Sequence, residues 1–195
     1  MSKIKEFIKK NKIFSLLIVV AIAIISVGIF APIIAPYSPF EGNLSDALQP
    51  PSSEHIFGTD KLGRDVFSRV VYGTRISLTA SLVLVISIFT IGTTLGILSG
   101  YFGGIVDEII MRISDIMISF PGMVLAISLA GIMGSSVNNA VIAIMVVSWT
   151  KYARLSRSLV LKIKETDYIY AAKISGCKTI HIITRHIIPN IIPTL

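Results

Sequence analysis

IFSLLIVVAIAIISVGIFAPIIA, residues 13–35, contains no charged side chain. At 1.5 Å per residue a helix of this length reaches about 35 Å, enough to cross a hydrocarbon core of roughly 30 Å. Lys3, Lys5, Lys9, Lys10 and Lys12 stand in front of it. A basic head before an apolar run also fits a secretory signal. Such signals have apolar cores of roughly 7–15 residues, however, and this run is longer. The reading is therefore a basic cytoplasmic tail, residues 1–12, and an uncleaved first transmembrane helix, residues 13–35.

The rest of the chain agrees with that class. The 195 residues are 53% hydrophobic and 15% charged, against roughly 25% charged in soluble domains. The net charge of +7 does not make a nucleic-acid binder, because the basic residues are banked at the ends of apolar runs and form no continuous basic face. Eight of them fall from Lys151 onward. Cys177 is the single cysteine, so no internal disulfide or Cys-rich metal site exists.

A second charge-free window, Ile76 to Val106, supplies a span near residues 76–98. A third, Ile116 to Thr150, is too long for one crossing and is interrupted by GSSVNN at residues 134–139. It divides into spans near 116–133 and 137–153. Pro121 should kink the third span. Trp149 and Tyr152 suit the membrane interface. Four crossings and the positive-inside rule put the N-terminus and the basic stretch after the fourth span in the cytoplasm, with the loop at residues 36–75 outside.

That outer loop carries Gly58 and Gly63 for tight turns and Asp60 or Asp65 as a helix cap. Leu62, Val66, Phe67, Val70 and Val71 form an apolar stripe that predicts a short amphipathic helix lying at the headgroups. A surface loop with a fortuitous stripe is the competing reading.

The basic stretch beyond the fourth span is also helix-patterned. Thr166 can cap a helix opening at Asp167, Gly176 suits the turn that ends it, and Thr179 can cap a second helix with Ile180, Ile183 and Ile187 on one face. Pro189 and Pro193 close the segment. Ala171 and Ala172 leave one side flat for a partner. The residues alone leave open whether this is a docking knob or a solvated loop between spans. His181 and His186, five apart, do not share a helix face at three- or four-residue spacing. No metal site is expected, and His55 is isolated.

These residues carry a resemblance. The segment is similar to the EAA loop of membrane subunits of binding-protein-dependent ABC importers. Ala171, Ala172, Gly176, Ile188 and Pro189 fall in register with that motif; Tyr170 stands where the family usually has Glu, and His186 where an apolar residue is common. The ending RHIIPN, the loop FGTDKLGRDVFSRVVYGTRISL (residues 57–78) and residues 100–127 resemble C-type subunits of the peptide and nickel branch. Gly58, Thr59, Asp60, Gly63, Arg64 and Asp65 carry the external-loop part of the match. The resemblance implies an all-α polytopic bundle of the type I importer kind. Residues 76–195 would be its incomplete core domain and residues 157–190 its cytoplasmic coupling loop. Family members usually have six spans, so four spans are expected here in a C-terminally truncated chain.

The resemblance further implies a permease subunit of an ATP-driven importer in the cytoplasmic membrane. Its partners would be a B-type permease, two cytoplasmic ABC ATPases and an external binding protein, and its substrate dipeptides or oligopeptides. A nickel-chelate importer permease is an alternative, as is a non-transporting membrane scaffold that keeps only the ATPase contact. Asp167 is expected to stand in for the family Glu, or Tyr170 to serve through its hydroxyl. The chain has no Gly-x4-Gly-Lys-Ser/Thr pattern, so nucleotide would bind on partners. It is read as a transporter subunit that carries out no catalysis and holds no cofactor.

Overall fold

The computed structural model describes residues 11–195. Of the basic tail read at residues 1–12, only Asn11 and Lys12 fall within that range. The chain divides into two units, one running to Ala80 and the other starting at Ser81.

In the first unit, α1 (Lys12–Ile29) exposes apolar side chains on every side. A helix apolar all round is at home only in a core or in lipid, and lipid demands that backbone groups pair within the segment. Gly28 is its one buried residue; a methyl group there would meet Leu78 at 2.6 Å. Helix α1 stops at Phe30, and the one-turn α2 (Ala31–Ile34), with Pro32 in its first turn, follows.

The loop from Ala35 to Asp65 is folded. It holds a 3-10 turn at Leu44–Asp46 and an isolated antiparallel bridge between Thr59 and Asp65. Helix α3 (Val66–Phe102) starts directly behind it. The stripe at Val66, Phe67, Val70 and Val71, read as a separate short helix, instead forms the first turns of α3. No proline or cap interrupts the run there, and the helix continues through Gly73.

In the second unit, α3 ends at Gly103 and Gly104, both at positive φ. Helices α4 (Gly104–Ser119) and α5 (Gly122–Met133) follow and meet at 90°. The span read at residues 116–133 is therefore not one helix. Proline disfavours the helical region for the residue before it, and Phe120 is extended at φ −96°, ψ 147°. Asn139 closes the end of α5 by donating from Nδ2 to the carbonyls of Met133 at 2.7 Å and Gly134 at 3.1 Å. Helix α6 (Val137–Lys164) runs eleven residues beyond the 153 boundary of the fourth span.

Helices α1 and α3 are long and apolar enough to cross a membrane; α4 and α5 add a third crossing only if the bent pair is one broken span. Helix α6 is not among them: Asn138 and Asn139 at one end and Lys151 and Arg154 at the other dilute its apolar stretch.

Packing of α3 against α6 runs through glycines. Gly92, Gly96 and Gly100 lie one turn apart on α3. A methyl group on Gly92 would stand 2.5 Å from the Trp149 carbonyl oxygen. One on Gly96 would collide with the Ala153 carbonyl and stand 2.6 Å from Ser156 Cβ, and one on Gly100 would lie 2.9 Å from Val160 Cβ. Small residues every fourth position let two helix backbones touch, the usual way helices associate without a hydrophobic drive. This ladder carries no charge or motif, and the sequence reading passed over it.

Candidate functional site

Past α6 the chain folds back in a helix–turn–helix. Helix α7 (Asp167–Ile174) is followed by α8 (Thr179–Ile182), a π turn at Ile183–Ile187, α9 (Ile188–Ile191) and a 3-10 turn at Ile192–Thr194. Gly176 has φ +75°. Its N–H donates to Lys173 O at 3.0 Å and that of Cys177 to Ala172 O at 3.1 Å, the two bonds of a Schellman ending.

Several local expectations change. Thr166 occupies the N-cap position, but its hydroxyl donates backward to Ile163 O and caps nothing in α7. Lys178, not Thr179, is the residue before α8. Pro189 does not end the helical run. A proline needs relief from the carbonyl four residues back, and the π turn just before it widens the backbone at that place. Ile183 and Ile187 are buried as a pair, yet Ile180 is 65% exposed; Ile182 and Ile191 take the remaining inward places.

The knob has an inner and an outer side. Ile169, Ile182, Ile183, Ile187 and Ile191 close on Val160 of α6 and Ile97 of α3, with Ala172 and Ile188 against them. Each such side chain is worth about 1.5–3 kcal/mol relative to exposure. The outer side shows Asp167, Tyr170, Ala171 and Ile174, spaced to share a face of α7. Ile174 is 87% exposed. Pro189 and Gly176 are also exposed. Lys173 Nζ lies 5.6 Å from the Tyr170 ring and 5.8 Å from that of Tyr101, within reach for cation–π attraction.

Polar bonds tie α6, the helix that leads into the knob, to α3 and α4. Arg157 of α6 donates from Nε and Nη2 to the two oxygens of Asp107 of α4, both at 2.5 Å, and Ser99 of α3 donates to the same carboxylate. Arg154 bonds Ser114 at 3.1 Å and pairs with Asp115. Lys164 donates to Tyr101 O at 2.7 Å. Apart from Ser99 and Asp107, eight residues apart, these partners lie 39 to 63 residues apart and leave no local pattern, and sequence reasoning found none of them.

The residues read as the external-loop motif lie together in the first unit, and they build the loop. Asp60 accepts from the backbone N–H of Leu62 and Arg64 and from the Arg64 and Arg69 side chains. The Arg64 side chain, opposed by desolvation and helped by those N–H groups, holds Asp60 well below the usual carboxylate range. Asp65 caps α3 by accepting the Ser68 N–H at 2.6 Å and bonds His55 Nδ1 at 3.0 Å. Burial pushes its carboxyl up, but the bonds from Ser68 and His55 outweigh this and leave it lowered. Thr59 Oγ1 accepts from Gln49 N at 2.8 Å and donates to Asp46 O. Gly63, at φ +69°, lies under the Asn43 carbonyl, where no side chain fits.

Apolar helices, glycine-mediated packing and a polar helical knob define an α-helical, multi-pass membrane protein. Residues 92–195 match the binding-protein-dependent transport system inner membrane component, and residues 7–51 match the N-terminal transmembrane domain of oligopeptide transport permease C. The chain belongs to this family of transport permeases. It is 45% identical to a dipeptide transport system permease protein of Alkalihalophilus pseudofirmus over 94% of its own length and 60% of the relative's. Identity is 44% to a probable D,D-dipeptide transport system permease protein of Escherichia coli, over 91% and 59% of the two lengths. It is 35% to a nickel transport system permease protein of the same species, over 82% and 58%. The chain thus spans about 60% of the length of the curated relatives it matches.

Proposed function

We propose that this chain is a membrane permease subunit of an ATP-driven peptide importer, and that the knob from Asp167 to Ile191 is the joint through which a cytoplasmic ATPase drives it. One observation carries the reading: the knob is rigid on its inner side and open on its outer side. Ile169, Ile182, Ile187 and Ile191 seat it on Val160 and Ile97, so a push on the outer face moves α3 and α6 with it. Asp167, Tyr170 and Ala171 offer that face to a groove. Asp167 provides the negative charge for a basic partner residue in place of the family Glu.

In this reading α6 and the bent α4–α5 pair complete the crossings, the N-terminus lies in the cytoplasm, and the folded loop at residues 36–65 faces outward towards a substrate-binding protein. A second permease subunit shares the path. The peptide specificity is supported by the dipeptide permeases among the relatives at 44–45% identity, above the 35% of the nickel permease.

The test is a crosslink. In a Cys177→Ser background, Ala171→Cys is expected to crosslink to a nucleotide-hydrolysing subunit in membranes expressing the full gene set, and Asp167→Ala to reduce ATPase co-purification and peptide uptake together. Labelling of Lys173 or Lys178 from the cell exterior would overturn the assignment.

A further inference from the structure

The two histidines of the knob are brought together by the π turn. In a regular α-helix, positions i and i+5 diverge; in a π turn the bonding pattern is i to i+5, and those positions come to one side. The turn at Ile183–Ile187 contains His186 and begins two residues after His181, and their ring centroids are 5.9 Å apart with planes at 68°. The Tyr168 ring lies 6.2 Å from His186. Asn190 ties down that flank by donating from Nδ2 to the His186 carbonyl at 2.6 Å and to Tyr168 Oη at 3.4 Å. His181 is exposed and His186 half-buried, and neither imidazole hydrogen-bonds a side chain among the described residues. Their nitrogens are therefore free for another ligand.

Two imidazoles 5.9 Å apart, on a backbone that fixes their separation, have the spacing of a bidentate chelator. Imidazole suits copper, nickel and zinc, whereas magnesium and calcium prefer oxygen. Ligand bonds of about 2.0–2.1 Å from each ring to a shared ion need the centroids to close by only a small rotation of either side chain. We propose that His181 and His186 bind one divalent cation of the copper, nickel or zinc kind on the surface of the knob. No third His, Cys, Asp or Glu joins them among the described residues, so water completes the shell. Lys178 and Arg185 on the same segment keep the affinity modest. The ion is selective for one backbone state: it bridges the histidines only while the π turn persists, so its binding holds the knob in this geometry.

Cu²⁺ is the probe, because its electron paramagnetic resonance spectrum counts nitrogen ligands. The full chain, purified in detergent with a histidine-free tag, is expected to bind one Cu²⁺ through two imidazole nitrogens. His181→Gln and His186→Gln should each leave one nitrogen and weaken binding by at least about tenfold, since the second contact of a chelate is intramolecular. His55→Gln should change neither. A wild-type spectrum with a single nitrogen, or an unchanged spectrum in the His181→Gln, His186→Gln double variant, would overturn the proposal. The wild-type nitrogen count stands whether or not the variants fold.

Discussion

The carboxylate of Asp60 grips Arg64 at both ends: Oδ1 accepts its backbone N–H at 3.1 Å and Oδ2 its Nε at 2.9 Å. A single acid thus closes the turn at Gly63 and orients the guanidinium beside it. Asp60 is depressed relative to an unfolded carboxylate, so its stabilising effect is complete above about pH 4 and is lost as pH falls below that. Amide protection factors across residues 41–65, taken relative to the intrinsic exchange rate at each pH, are expected to fall on acidification from pH 6 to pH 3. In Asp60→Asn they should be low throughout and lose most of that pH dependence.

Gly176 tests the joint by conformation alone. Nothing lies within 4 Å of a methyl group placed there, while its φ is +75°. Asn visits the left-handed region with little strain and a β-branched residue does not. Gly176→Asn is expected to keep ATPase co-purification near wild type, and Gly176→Val to lose most of it. Equal behaviour of the two variants would contradict the left-handed turn.

The Arg157–Asp107 pair should show coupling. Truncating Arg157 to Ala leaves a half-buried carboxylate with Ser99 as its remaining partner, at a cost of about 2 kcal/mol. A double-mutant cycle with Asp107→Asn, read by thermal unfolding in detergent, is expected to give a favourable interaction energy of about 1 kcal/mol or more. Additivity would show the pair to be independent.

Gly96→Val forces α3 away from α6. Overpacking of this kind costs about 1–3 kcal/mol, and more where the obstacle is backbone. A lowered unfolding temperature in detergent is expected.

The elements that were legible in the sequence are those set by local chemistry. The apolar run at residues 13–35 announces a helix, although α1 stops at Ile29, short of the boundary read at residue 35; Pro121 announces a break, and Gly176 a left-handed turn. What escaped was decided by geometry between distant parts or by departure from regular periodicity. The π turn makes His181 and His186 neighbours, although a 3.6-residue period separates them. Arg157 finds Asp107 across fifty residues. The first turns of α3 looked like an independent amphipathic helix because the stripe from Leu62 onward says nothing about where a helix stops. Gly92, Gly96 and Gly100 drew no notice in the sequence, because their meaning appears only opposite Trp149, Ala153 and Val160.

That glycine ladder makes tolerance to substitution one-sided. At Gly92 and Gly96 the closest atoms across the seam are carbonyl oxygens of Trp149 and Ala153, which every amino acid supplies. Drift at position 149 can leave the seam intact, whereas any enlargement at position 92 or 96 is refused. In a saturation library, survivors should cluster on one side of this contact, and the vulnerable side is the one whose residues have no side chain to lose.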